Sequence, residues 1–496
     1  MSDAAVTKKP ELTPEDEQEV YIDGPLFEAR KQLFTQSVWG QFRKIKWAVL
    51  IATLGVYYFL PFVRWDRGPN APDQAVLIDL PARRFYFFFI EIWPQEVYYL
   101  TGLLILASLI LFLMNAVAGR IWCGYLCPQT VWTDLFMAVE RRIEGDRRER
   151  LRLYNGPWNA ERISKFASKH VVWLMIAWWT GGAWVLYFAD APTLVYNLAT
   201  LQAPFVAYLW IGILTFTTYT LAGWMREQVC VYMCPWPRIQ AALTDEHAYN
   251  VTYLVDRGEP RGSVKKNRAL REAGEPAGDC IDCGQCVAVC PTGVDIRDGS
   301  QLGCIQCGLC IDACNNVMEK VGLPRDLITY DSEYNLERRL EGKPQERSKL
   351  VRARTIVYMA LIGLIAGIML FTFVGRGSID VSAQHDRNPL YVQLSDGSIR
   401  NAYTIRLFNK ALEERAFTLA VTGLPVVNVD ALGAIPVSEG VIEMPVGPAQ
   451  TREVRVLVTI PDPASIPEST PITFVLTEPA SGEVATTSDN FIRPAD

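Results

Sequence analysis

The chain has 496 residues, too many for one domain at about 150 residues apiece. Half of them are apolar, and 14 Trp, 20 Tyr and 21 Phe fit a membrane protein with aromatic interface belts. A net charge of −6 without a basic patch argues against a nucleic-acid partner, and the three histidines, His170, His247 and His385, argue against a bis-imidazole haem or a multi-His metal cage.

In chain order, residues 1–46 form a polar cytoplasmic segment. Through Arg43 they lack the apolar stretch of a secretory signal, so insertion falls to the internal helices. Five stretches are long and apolar enough to cross a hydrocarbon core of about 30 Å as helices. They are Trp47–Val63, Val97–Gly119, Val171–Ala189, Ala203–Met225 and Thr355–Val374. A further apolar run, Phe85–Trp93, is too short to span and contains Glu91, which predicts an interfacial segment. Arg43, Lys44 and Lys46 precede the first span. Arg141, Arg142, Arg147, Arg148, Arg150 and Arg152 lie between the second and third, and the loop Asp190–Gln202 has no Lys or Arg. The positive-inside rule then puts the N-terminus and the segment Arg226–Arg354 inside, and everything after Val374 outside. The arginine run reads as topology marking, with docking to anionic lipid as the alternative.

All 12 cysteines fall between Cys123 and Cys314, on the predicted cytoplasmic side or at its membrane border. Clustered cysteines in a reducing compartment read as metal ligands rather than disulfides. The second span ends in Cys123-Gly124-Tyr125-Leu126-Cys127-Pro128, and the fourth in Cys230-Val231-Tyr232-Met233-Cys234-Pro235. Cysteines four apart share one side of a helix, and both pairs follow spans running out to in. Four thiolates at matching depth make a candidate site for copper or a third iron–sulfur cluster, with Met233 as a further soft group. Helix packing by small buried cysteines and thiol exchange are the other readings.

Within residues 226–354, a module at about 270–325 contains Cys280-x-x-Cys283-x-x-Cys286-x-x-x-Cys290-Pro291, followed by Cys304-x-x-Cys307-x-x-Cys310-x-x-x-Cys314. This is the bacterial two-cluster ferredoxin spacing, in which the fourth Cys of each run serves the other [4Fe-4S] cluster. The predicted sets are Cys280, Cys283, Cys286 and Cys314, and Cys304, Cys307, Cys310 and Cys290. Two complete runs in tandem count against structural zinc. The second run departs from the pattern in having Asn315 where Pro is expected.

After the fifth span, 355–374, the tail 375–496 has short β-rich runs at Leu390–Leu394, Tyr403–Phe408, Phe417–Val421, Val454–Ile460 and Ile472–Leu476, separated by turn residues. They predict an antiparallel sandwich that folds without disulfides. His385 reads as an ordinary surface histidine.

The tandem ferredoxin runs, the paired Cys-x-x-x-Cys-Pro motifs and the strand-rich tail together resemble the cytochrome c oxidase accessory proteins of the CcoG/FixG/RdxA type, from about Tyr21 to the end of the chain. The resemblance implies a multi-domain protein of the bacterial inner membrane: a four-helix membrane domain over 47–225, an inserted ferredoxin domain, a fifth span and a periplasmic immunoglobulin-like domain. It implies a role in assembling cbb-type cytochrome c oxidase by reducing Cu(II) to Cu(I). The expected partners are oxidase subunits or assembly factors and an unidentified electron donor. A quinol-linked conduit to a respiratory reductase and a membrane redox sensor are the alternative functions.

Overall fold

The computed structural model describes residues 32–346, 349–425, 427–438 and 440–494. Most of the polar N-terminal segment, residues 1–31, lies outside these.

In lipid an apolar segment satisfies its backbone polar groups by closing them within a helix. The principal helices are α1 (Gln41–Phe59), α2 (Tyr98–Ala118), α3 (Pro128–Glu144), α4 (Ala160–Val185), α5 (Phe205–Thr218), α6 (Leu309–Val321) and α7 (Ala353–Val374). Among the described residues four segments are long and apolar enough to cross a membrane: Gln41–Phe62, Pro94–Ala118, Phe205–Met225 and Ala353–Val374. The expected third span, Val171–Ala189, is not one of them. It belongs to α4, whose 26 residues include Lys169, His170 and the amphipathic indoles of Trp173, Trp178, Trp179 and Trp184. These lower its hydropathy without shortening it, since 26 residues of helix reach about 39 Å. Its two ends also meet opposite layers. Lys169 pairs with Glu144 of α3 at 2.6 Å, while the carbonyls of Leu186 and Tyr187 accept from Gln74 and Ile78 beyond the far end of α1.

Close helix approach needs small residues. A Cβ on Gly181 of α4 would lie 2.9 Å from the Ile211 carbonyl of α5, and one on Gly102 of α2 would lie 2.5 Å from the Met369 sulfur of α7. Phe85–Trp93 folds as strands rather than as an apolar helix. Val76–Asp79, Arg84–Phe87 and Ile90–Ile92 make a three-stranded antiparallel sheet joining α1 to α2.

The ferredoxin module closes on itself through Tyr249–Tyr253, antiparallel to Ile328–Ser332. It docks on the bundle end carrying the cysteine motifs. The N–H groups at the start of α1 that have no partner within the helix, on Phe42 and Arg43, donate to the Asp312 carboxylate of α6 at 3.2 and 2.8 Å, which supplies the capping acceptor a helix start requires. Arg43 also pairs with buried Asp134 of α3 at 2.9 Å. Part of the arginine run is likewise internal, not free positive charge. Arg150 is buried against Glu140 at 2.7 Å, and Arg226 reaches the same carboxylate at 2.9 Å.

At the opposite end the tail forms two packed antiparallel sheets. One orders Asn428–Ala431, Gln450–Ile460, Ile399–Asn409 and Ile379–His385, with Val392–Gln393 paired to Ile399–Asn409. The other orders Ile435–Ser438, Val441–Val446, Arg415–Thr422, Ser469–Thr477 and Val484–Ile492. Alternate residues of Ile399–Asn409 are buried, so Tyr403, Ile405 and Leu407 face Phe417, Leu419 and Phe474 in the core. His385 is half-buried, 2.7 Å from the Asn401 amide oxygen with its ring against Tyr403, rather than a surface residue. Lys410 pairs with Glu96 at 2.8 Å and Arg376 donates to the Glu91 carbonyl at 2.9 Å, which ties this domain to the segment before α2.

Candidate metal centre

The ferredoxin loops turn where glycine is required. Gly284 and Gly308 hold left-handed φ of +63° and +73°, and each opens the helix that follows its Cys-x-x-Cys pair. Burial pushes Cys314 up to about 12, reinforced by the neighbouring thiols of Cys286, Cys283 and Cys280. Burial likewise raises Cys304 to about 12 and Cys310 well above the thiol range, and the thiols around Cys310 are Cys307, Cys304, Cys290 and Cys286. Cys314 thus neighbours the first run and Cys290 the second, while Cys286 of the first run also lies near Cys310. Without metal these buried thiols keep their protons at neutral pH, as expected of ligands that exchange a proton for iron. Cys283 is the exposed member of the eight.

The four border cysteines also converge. Burial raises Cys123 to about 12, with contributions from Cys127, Cys230 and Cys234; Cys230 rises to about 12 for the same reasons. Cys127 caps α3, with Pro128 as its first residue, and the Thr130 hydroxyl donates to the carbonyls of Cys123 and Cys127 at 2.7 and 2.9 Å. Cys230 lies in a π-helical turn, Val229–Met233. The two motifs are not mirror copies in detail. Tyr125 is buried and donates to the Cys307 carbonyl at 2.9 Å, whereas Tyr232 is exposed, as is Met233 at 55 %. Met233 thus lies beside the thiol set without closing it.

Among the described residues no three His, Cys, Asp or Glu side chains are placed to share one metal ion. Thiolates around a single tetrahedral ion lie about 3.8 Å apart, from metal–sulfur bonds of about 2.3 Å. A cubane spreads its ligands, since each binds a different iron. The donor chemistry of all three sets, four soft thiols apiece, fits [4Fe-4S] clusters.

The border set abuts the second ferredoxin set. A Cβ on Gly124 would lie 2.8 Å from the Ile305 carbonyl and 3.1 Å from Cys307 Cα. Cys123 shares an apolar cluster with Ile305 and Cys307. Cys230 lines a small cavity with Pro291 and Thr292, just after Cys290. Arg120 joins the two sets: its backbone N–H donates to Gln306 at 2.7 Å, its guanidinium donates to the Leu302 carbonyl at 2.6 Å, and its charge acts on both Cys123 and Cys304. The Cys123 thiol lies 3.2 Å from the Gln240 side-chain oxygen. The sequence reading missed Arg120 and Gln240, although an arginine directly after an apolar span and three residues before Cys123 was a visible signal.

Residues 225–333 match the family described as a 4Fe-4S dicluster domain, and residues 100–145 match a 4Fe-4S binding domain. The only cysteines in 100–145 are Cys123 and Cys127. Residues 369–494 match the IG-like fold at the C-terminus of FixG. The nitrogen fixation protein FixG of Rhizobium meliloti is 46% identical over 95% of this chain and 95% of its own length. RdxB of Cereibacter sphaeroides is 48% identical over 92% and 95% of the two chains, and RdxA of the same organism 50% over 89% and 92%.

Proposed function

The chain belongs to the FixG/RdxA/RdxB family of iron–sulfur redox proteins, and from that premise we propose that it is an inner-membrane oxidoreductase that reduces Cu(II) to Cu(I) for assembly of cbb-type cytochrome c oxidase. The observation that carries this reading is the packing of the border turn, through Cys123 and Gly124, against the Ile305–Cys307 loop of the second ferredoxin run, with Cys283 of the first run exposed. When bound, [4Fe-4S] clusters accept and release single electrons, the stoichiometry that Cu(II) reduction requires.

The residues of the chain hold, space and shield these centres. Cys280, Cys283, Cys286 and Cys314 hold one cluster; Cys290, Cys304, Cys307 and Cys310 hold the second; and Cys123, Cys127, Cys230 and Cys234 hold the third. Gly124 keeps the border turn in backbone contact with the Ile305–Cys307 loop. Tyr125 and Arg120 lock that loop through its carbonyls. Burial of Cys123, Cys286, Cys307 and Cys314 keeps water from the sulfurs. Exposed Met233, beside Cys234, offers a thioether that favours the Cu(I) product over Cu(II). Positive residues before α1 and after α2, their absence from Asp190–Gln202, and the confinement of cysteines to that bundle end support a cytoplasmic ferredoxin module and a periplasmic C-terminal domain.

Anaerobic purification with iron and sulfide counts, read beside low-temperature EPR, tests the assignment. About twelve irons per chain are expected, falling to about eight in Cys123→Ser. Dithionite-reduced protein should convert Cu(II) to Cu(I), read with a Cu(I)-specific chelator. Zinc or no metal in the Cys280–Cys314 segment, or no Cu(I) from fully loaded protein, would sink the proposal.

A further inference from the structure

A second cavity lies beside the border cysteines, reached through Glu227, which also lines the small cavity containing Cys230. α5 does not end as a regular helix: residues Tyr219–Met225 continue it as a π-helix, a rare form that concentrates at functional sites. Both Tyr219 and Trp224 lie on this turn, and both meet His170 of α4. The Tyr219 hydroxyl is 2.9 Å from His170 Nδ1. The Trp224 indole lies nearly parallel to the imidazole, at 18° and 5.5 Å, and Trp173 meets it edge-on at 90° and 5.3 Å.

His170, Trp173 and Trp224 line a cavity of about 170 Å³ together with Lys169, Arg226 and Glu227, while Tyr219 holds His170 from outside it. A cavity of about 150 Å³ admits a benzene ring, so this one suits a single six-membered ring with small substituents. Trp224 is half-exposed at the end of the apolar span Phe205–Met225, which places the cavity at the border between lipid and water. Glu227 is 8 % exposed, has no ion-pair partner among the described residues, and lines both this cavity and the small one containing Cys230.

We propose that this cavity binds the headgroup of a membrane quinol. Aromatic walls suit a flat ring, an imidazole held by Tyr219 suits hydrogen bonding to a quinol or quinone oxygen, and the half-exposed Trp224 side leaves a path for an isoprenoid tail into lipid. The inference rests on the Cu(II)-reductase reading and supplies its missing reductant. One quinol passes two electrons to two Cu(II), giving two Cu(I), and releases its two O–H protons to water as it becomes quinone.

The test is equilibrium binding of a short-tail benzoquinone to the full chain in detergent, followed by tryptophan quenching, with iron content as the control for folding. Saturable binding is expected. It should weaken on the order of tenfold in His170→Leu, the effect of losing one hydrogen bond in a dry site, and by less in Tyr219→Phe, at unchanged iron. Should His170→Leu lose iron, His170→Gln and Tyr219→Phe decide by the same readout. Absence of saturable binding, or equal affinity in iron-replete His170 variants, overturns the site. If dithionite-reduced protein still reduces Cu(II) while no quinone binds, this inference alone fails. If quinone binds but reduced protein makes no Cu(I), the proposed function fails and the site stands.

Discussion

At the residue scale, the cysteine spacing carried nearly all of the legible chemistry. Two runs of four with the same gaps point to two clusters, and in the fold Cys314 neighbours thiols of the first run and Cys290 thiols of the second. Less legible was the residue that brings the third set within reach. Gly124 looks like an arbitrary filler between Cys123 and Tyr125, because nothing in a local pattern encodes a contact with a loop some 180 positions away. Its importance is steric: the Ile305 carbonyl occupies the space a methyl would need. Gly124→Ala should therefore destabilise the docked module by about 1–3 kcal/mol, the usual cost of overpacking. It should also slow electron exchange between the border set and the ferredoxin sets, read by freeze-quench EPR. A variant with wild-type stability and exchange would show that the two backbones need not touch.

At the scale of elements, the sequence predicts five spans; four of them match helices long and apolar enough to cross a membrane, and the third, within α4, falls short in hydropathy. The tryptophans of α4 score as nearly polar, although an indole buries most of its surface at a membrane interface. The arginine run, read as topology marking, also contributes Arg150 to an internal network with Glu140 and Glu144, and only the folded arrangement reveals those partners. A parallel pair anchors α1. Burial alone would raise the Asp134 carboxyl, but Lys46 and Arg43 outweigh it and hold the group below its ordinary value of 3.8. A carboxylate depressed by folding stabilises fully above its unfolded pKa and loses that contribution as pH falls through the depressed value. Asp134→Asn leaves two buried cations without their partner, a cost of about 3–5 kcal/mol near neutrality. The gap between variant and wild-type denaturation midpoints should hold steady from neutral pH to about pH 4 and narrow only below that. A gap that already closes between about pH 7 and pH 5 would mean that Asp134 does not carry the pair.

At the scale of the whole molecule, the chain is two layers held apart by a helical bundle. All thiols lie at one end, and a disulfide-free sandwich at the other is fixed through Lys410 and Glu96. The sandwich was legible as a class, since alternation along Tyr403–Phe408 and Val454–Ile460 marks half-buried strands. Val484–Ile492 was not, because the solvent-facing side of a polar edge strand carries no apolar period. Charge supports the proposal that the thiol end faces the cytoplasm. Lys and Arg flank the thiol end and are missing from Asp190–Gln202, and translocation of positive loops is disfavoured. A cysteine introduced at Leu432, which is 93 % exposed, reports on this directly. With the outer membrane permeabilised and the inner membrane intact, an impermeant maleimide should label Leu432→Cys but not the wild-type chain. Wild-type thiols should react only after the inner membrane is opened and the iron is removed. Labelling of the wild-type chain in intact spheroplasts, with Leu432→Cys adding nothing, would invert the molecule and put its thiolate centres in the oxidising compartment, where free cysteines at this density would not survive reduced.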